Sequence, residues 1–469
     1  MIKISSGILR ITSVAIILIA AVSILPADIL GGNLTLEYST YLGGDEQDDA
    51  RGIAAGTDET VYVTGFTLSA DFPVQNAYQA VYQTNCDSFV TRLSSSGSAL
   101  LYSTYLGGAE DDYALGAVVD TDGSAYIVGY TGSTDLPTVS PYQVANAGNY
   151  DAFVTRLSSS GSALLYSTYL GGAGADYGRA LAINTTGIIY ITGDTASTNF
   201  PTENPYQSSN AGGSKDAFVT KFSSDGSALL YSTYLGSSDS GGWFGIDQGY
   251  SIAVDTTGYA YVAGRTHSGD FPTVNPYQAA NGGGYSGFVT KFSTSGSTLE
   301  YSTYLSSEWD DFIYGLAIDT AGSAYVAGNT YGYQFPRKNA YQSTLTGGGD
   351  AFVTKFSASG STLDYSTYLG GMDVDDIAYC ITVDEEGLAY VGGVTDSSDF
   401  PVVNPYQASF AGSYDVFFTR FSASGSALEY STYLGGDFRD EAYGIAIDTN
   451  GNTYLAGSTF SSNFPMENP

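Results

Sequence analysis

The pentapeptide Tyr-Ser-Thr-Tyr-Leu begins at Tyr38, Tyr102, Tyr166, Tyr231, Tyr301, Tyr365 and Tyr430, at intervals of 64, 64, 65, 70, 64 and 65 residues. A period this regular restricts the chain to a repeat architecture, in which neighbouring units bury one another's apolar faces. The one long interval places an insertion at about 237–244, read as a surface loop of the fourth unit.

Each unit reads as four short strands, A to D. Strand A is typified by Gly444–Asp448, and turns such as Asp120-Thr121-Asp122-Gly123 follow it as hairpin signals. Strand B is typified by Ala260–Gly264, and the next loop carries Asp270-Phe271-Pro272 and Asn275–Gln278. Prolines exclude a central strand there. Strand C is typified by Asp350–Phe356 and strand D by Leu428–Leu434. A period of about 64 residues with four antiparallel strands argues against a β-solenoid, whose rungs are shorter and lack paired hairpin turns.

The expected fold is therefore all-β: a seven-bladed β-propeller with four antiparallel strands per blade, spanning 34–469. Phase adds a detail. The chain supplies a D strand at Leu36–Leu42 first and stops inside the B–C loop motif at Pro469, which gives seven A, seven B, six C and seven D strands. The closing blade is thus expected to be shared between the two termini and to lack its C strand, with the natural chain continuing past Pro469.

The motifs Gly-Ile-Ala-Ile-Asp (444–448), Tyr-Val-Ala-Gly (261–264), Asp-Phe-Pro (270–272), Asp-Ala-Phe-Val-Thr-Lys (350–355) and Tyr-Ser-Thr-Tyr-Leu-Gly-Gly (430–436) resemble the SBBP-type β-propeller repeat of bacterial and archaeal cell-surface proteins. The resemblance covers the chain from Leu34 onward. It implies an extracellular or surface-displayed protein and brings no catalytic residues with it.

Charge narrows the partners. With 48 acidic against 15 basic residues, the net charge of −33 repels nucleic acid and anionic membranes. Lys3 and Arg10 precede an apolar run from Ile11 to Leu25, closed by Pro26. This pattern reads 1–27 as a secretory signal or a retained N-terminal anchor, the latter being the one expected route to a membrane. Cys86 and Cys380 lie in different repeats, so no disulfide is expected.

Among residues able to carry chemistry, one aspartate recurs four positions before strand A in every unit: Asp48, Asp112, Asp176, Asp247, Asp311, Asp376 and Asp440. Carboxylates at this spacing form a ring on one face. They are read either as oxygen ligands for Ca²⁺, the one cofactor considered, or as acceptors within their own turns. Six basic residues (Arg92, Arg156, Lys221, Lys291, Lys355 and Arg420) recur on strand C and are read as partners of nearby acids. The lone histidine, His267, is read as an exposed loop residue, and Trp243 and Trp309 fall outside the repeat near the D–A loops.

The expected function is non-catalytic: a monomeric propeller at the cell surface or outside the cell, presenting a binding surface to a protein or glycan. The alternatives are a polysaccharide lyase or hydrolase, with Trp243, Asp247, Arg265 and His267 as the nearest approach to a site, and a purely structural envelope protein.

Overall fold

The computed structural model describes residues 16–24, 34–238 and 245–469, with backbone alone at 16–24. Trp243, most of the insertion, and residues 1–15 and 25–27 of the segment read as a signal lie outside the described residues. Every regular element described is a strand.

Six blades are each built from four consecutive strands. The first comprises β3–β6 (Asp48–Ala55, Val61–Thr67, Asp87–Leu93, Leu100–Leu106) and the second β7–β10 (Asp112–Val119, Ala125–Thr131, Asp151–Leu157, Leu164–Leu170). The third is β11–β14 (Asp176–Ile183, Ile189–Thr195, Asp216–Phe222, Leu229–Leu235), and the fourth β15–β18 (Asp247–Val254, Ala260–Thr266, Ser286–Phe292, Leu299–Leu305). The fifth is β19–β22 (Asp311–Ile318, Ala324–Thr330, Asp350–Phe356, Leu363–Leu369), and the sixth β23–β26 (Asp376–Val383, Ala389–Thr395, Asp415–Phe421, Leu428–Leu434). Strand A of each touches strand A of the next, and β27 (Asp440–Ile447) touches β3, so the ring closes.

The expectation of seven repeat blades, the last short of a strand, is corrected here. The repeat builds six blades, and closure is made by a composite sheet ordered β2-β1-β28-β27, with β1 at Ile16–Ile24, β2 at Leu34–Leu42 and β28 at Thr453–Thr459. β1 runs antiparallel to β28 from Ile16↔Thr459 to Val22↔Thr453, and to β2 from Ile17↔Leu42 to Ile24↔Leu34. It takes the strand-C position. Two facing sheet edges with open N–H and C=O groups favour any extended segment that satisfies both. Residues 16–24 of the apolar run read as a signal therefore lie within the sheet.

The recurring pentapeptide is a set of fasteners. In the fifth blade Tyr365 packs against Tyr325, ring centroids 6.3 Å apart. The Ser366 hydroxyl lies 2.7 Å from that of Thr354 and donates to the Pro336 carbonyl at 2.6 Å. Thr367 accepts from the Gln342 amide at 2.9 Å, and the Tyr368 hydroxyl donates to the Gly332 carbonyl at 2.8 Å. These bonds pin the proline-bearing B–C loop over strand D and satisfy the Ser366, Thr367 and Tyr368 hydroxyls, whereas the buried Tyr365 hydroxyl has no hydrogen-bond partner among the described residues. In the composite sheet Ser39 and Tyr41 make the same contacts across the chain ends, to Pro465 and Ser461, at 2.8 and 2.9 Å.

Strand A begins at the recurrent aspartate, four residues earlier than expected, because the chain is already paired there, as in Asp311↔Thr330. Every strand A then carries a β-bulge after its third residue, as between Ala50 and Gly52 or Ile313 and Gly315. The bulge explains the glycine that recurs in strand B. A β-carbon on Gly65, Gly264, Gly328 or Gly457 would lie 1.7–1.9 Å from the carbonyl oxygen of the second residue of strand A, one before the last residue paired ahead of the bulge. Crowding, not a left-handed backbone, excludes a side chain at these positions.

Candidate binding site at the axial mouth

Antiparallel order places all D–A and B–C loops on one face of the ring and all A–B and C–D turns on the other. The bulge residue of strand A is unpaired, so its side chain is re-aimed, here toward the axis. Around the ring that residue is Arg51, Leu115, Arg179, Tyr250, Tyr314, Tyr379 and Tyr443. All of them line an axial cavity of about 190 Å³. Below lies an apolar floor that includes Ile53, Leu181, Ile252 and Leu316.

The ring is an aromatic arc closed by two guanidinium groups. Tyr250, Tyr314, Tyr379 and Tyr443 follow one another with centroids 5.5, 5.3 and 5.1 Å apart. Arg51 stacks over Tyr443 at 3.9 Å and Arg179 over Tyr250 at 4.9 Å. Such contacts are worth about 0.5–2 kcal/mol each and hold both arginines in place. Leu115 is the gap between the arginines.

Charges around the ring are partly balanced. Arg51 pairs with Asp49 at 3.2 Å, and Glu441 accepts from Arg439 and from the Tyr443 hydroxyl, both at 2.7 Å. Asp194, fully buried, accepts from Arg179 and, at 2.7 Å, from Lys215. Burial opposes its charge, but the two cations hold its carboxyl below the usual range. Among the described residues Arg265 pairs with no acid: it bonds Gln248 at 2.8 Å and lies 4.8 Å from the Tyr285 ring centre. Burial pushes the tyrosines up, Tyr379 to about 12, so they present neutral hydroxyls at ordinary pH.

On the same face, large apolar side chains stand out on successive D–A loops: Trp309, Met372, Val374 and Phe438, with Tyr333 from a B–C loop. Tyr333 adjoins Trp309 through Glu308, which accepts from the Tyr333 and Gln334 amides at 3.0 and 3.1 Å.

The sequence-predicted aspartates occupy a different shell. Asp48, Asp112, Asp176, Asp247, Asp311, Asp376 and Asp440 are all buried, and each accepts bonds from its own D–A loop. Asp112, for example, takes the Gly108 amide at 2.7 Å and the Ser133 hydroxyl at 2.9 Å. Asp310 turns away from Asp311 and accepts from the Tyr285 amide at 2.8 Å. Among the described residues no group of three or more potential ligands converges on a point. Asp247 takes the Ser237 amide at 3.0 Å while Arg265 faces Gln248, so these two do not form one site. His267 is half-buried, its ring 4.9 Å from Tyr285, and not the exposed loop residue expected. Cys86 and Cys380 are buried free thiols.

The strand-C cations lie toward the opposite face. Four of them pair with an acid in the A–B turn of their own blade: Arg92 with Asp58, Arg156 with Asp120, Lys291 with Asp255 and Lys355 with Asp319. Arg420 pairs with Glu429 of strand D. Lys221 faces a turn with Asn184 in place of aspartate and bonds the Thr294 carbonyl at 3.1 Å, and burial lowers its pKa. An open depression of about 670 Å³ on this face, at the closing seam, is lined by Glu37, Glu59 and serines and shares no residue with the ring.

The ring was missed in the sequence because period-two alternation fails at a bulge. Its signal was present: one column of strand A reads Arg, Leu, Arg, Tyr, Tyr, Tyr, Tyr amid small and apolar neighbours.

Solved structures similar in fold include BamB from Moraxella catarrhalis (11% identity, TM-score 0.39, 93% of this chain and 95% of that one). A protein of unknown function from Dyadobacter fermentans matches at 10% identity and TM-score 0.42, over 77% and 94% of the two chains. The gluconolactonase XC5397 from Xanthomonas campestris matches at 12% and 0.32, over 71% and 90%. No curated protein is detectably similar in sequence. The SBBP β-propeller repeat matches residues 101–137, 165–201, 230–272, 300–336, 364–401 and 429–465, once in each of six units. Each match runs from strand D through strands A and B of the next sheet into the B–C loop, and on these six matches the chain belongs to the SBBP β-propeller repeat family.

Proposed function

We propose that this protein is a non-catalytic binding module, outside the cell or on its surface, that takes its ligand at the axial mouth of the D–A face. One observation carries the reading. Residues that serve the fold repeat from blade to blade, whereas the bulge column breaks the repeat and converges on the cavity. Residues freed from packing rules and gathered at one mouth are what a recognition site requires. The ring supports binding over acid–base chemistry because its carboxylates are tied into ion pairs and its tyrosines stay protonated. Lys3 and Arg10 ahead of the apolar run support placement outside the cell, with the run read as retained because its residues 16–24 pair as β1.

The test is a panel of envelope glycans and surface proteins probed with the native chain and with a Tyr314→Ala, Tyr379→Ala variant. Binding lost in the folded variant supports the axial reading. Binding that ignores the ring overturns it.

A further inference from the structure

Resting on the axial reading, we propose that the mouth recognises a sugar acid, with Arg179 receiving the carboxylate and the tyrosine arc receiving the sugar ring. The charge balance singles out Arg179. Asp49 matches Arg51 and Glu441 matches Arg439, but Asp194 alone faces both Arg179 and Lys215, which leaves one positive charge in excess. Arg265, on the far side of Tyr250, adds a second cation that meets no acid among the described residues. Among the described residues, two cations are thus unmatched within one patch beside Tyr250, in a chain of net charge −33.

The donors are available. Arg179 engages Asp194 through Nε, and among the described residues its two Nη groups make no hydrogen bond. Arg51 uses Nη2 on Asp49, and its Nε is buried. Both line the cavity on either side of Leu115, a short apolar side chain that leaves the space between them open. A planar guanidinium with free N–H groups matches a carboxylate in two parallel bonds.

Size and chemistry select the rest. A cavity of about 190 Å³ admits one sugar unit, not a folded chain. Aromatic faces with neutral hydroxyls suit a ring that is apolar on its faces and polar at its edge. The overall charge repels long polyanions at a distance, so a terminal acidic sugar fits better than an internal stretch of an acidic polymer.

Isothermal titration of the full chain at ~0.15 M salt with trigalacturonate, its neutral counterpart galactotriose, and trialanine bearing a free C-terminus tests this. Trigalacturonate should bind at least tenfold more tightly than galactotriose. Arg179→Gln should weaken trigalacturonate at least tenfold in a variant that stays folded, since Lys215 still holds Asp194, and Arg179→Lys should restore part of the affinity. Equal binding of the neutral sugar, indifference to Arg179→Gln, or tighter binding of trialanine overturns the proposal. Ring-dependent capture of panel ligands with no response to trigalacturonate overturns this proposal alone, while loss of both overturns the axial reading beneath it.

Discussion

In the fourth blade, Ser306 stands beside Ser286 where five other blades pair a glycine with an aspartate. The Ser306 hydroxyl accepts from the Gln278 side chain at 2.9 Å and the Gly282 amide at 3.0 Å. These are the two bonds that Asp350 receives in the fifth blade, from Gln342 and the Thr346 amide at 2.7 and 3.0 Å. A β-carbon on Gly370, the counterpart of Ser306, would lie 2.7 Å from an oxygen of both Asp350 and Asp376. The two positions are coupled: glycine admits the carboxylate, or serine replaces it.

Gly370→Ser alone should therefore destabilise the protein by about 2 kcal/mol through overpacking, and Asp350→Ser alone should cost its buried hydrogen bonds. Combined, they should recover about 1–3 kcal/mol relative to the sum. Denaturant unfolding of the four proteins measures it, and strict additivity would refute the coupling.

Gly328→Ala tests the strand-B glycine. With its β-carbon placed 1.7 Å from the Phe312 carbonyl oxygen, the bulge must shift or the sheet must part. The expected loss is about 3 kcal/mol or more, read as a fall in melting temperature. A variant as stable as the parent would show that the bulge yields freely.

Buried aspartates give stability an unusual pH dependence. Burial, and then the charge of Asp112, push Asp87 up to about 7; burial and then Asp216, among other groups, bring Asp247 to about 7. Asp376 reaches about 7 by burial and, in part, by Asp350. A folded pKa above the unfolded value of 3.8 means that the folded state binds the proton more tightly. The resulting stabilisation is complete below about pH 4 and is lost as pH rises through 7. The melting temperature should be higher at pH 5 than at pH 8, and Asp376→Asn should flatten the slope by at least about 1 kcal/mol over that range. Stability that rises toward pH 8 would contradict these carboxyls.

Deletion of residues 1–27 removes β1 and opens the facing edges of β2 and β28. Amide exchange in Thr453–Thr459 should quicken by about tenfold or more, while that in Ile189–Thr195 of the third blade stays unchanged. The β21 sequence Asp-Ala-Phe-Val-Thr-Lys-Phe, supplied as a peptide, should slow it again, because its threonine would meet Ser39 where Ala20 now stands opposite. Unchanged exchange after deletion would mean that β1 does not hold the seam.

Periodicity exposed most of the architecture because each unit solves the same packing problem: Tyr365, Ser366, Thr367 and Tyr368 each have an assigned partner, so their motif cannot drift. Strand phase likewise located the shared closing sheet. Two things were hidden. An apolar run such as Ile16–Ile24 carries no alternation that separates a strand from an export signal. The bulge shifts register by one residue, so simple alternation gives no reason to single out Arg51 and Tyr443 as side chains sent to the axis.

Closure by strands from both ends also sets a clock. β3 acquires its neighbour β27 only after more than 380 further residues have been made, and the Ser39 amide finds the Glu467 carbonyl to which it donates later still. At about 5–20 residues per second, blades completed early wait roughly 20–70 s with one flank bare. During that interval the first blade's inner edge, Asp48–Ala55, is the part of the nascent chain most in need of a temporary companion.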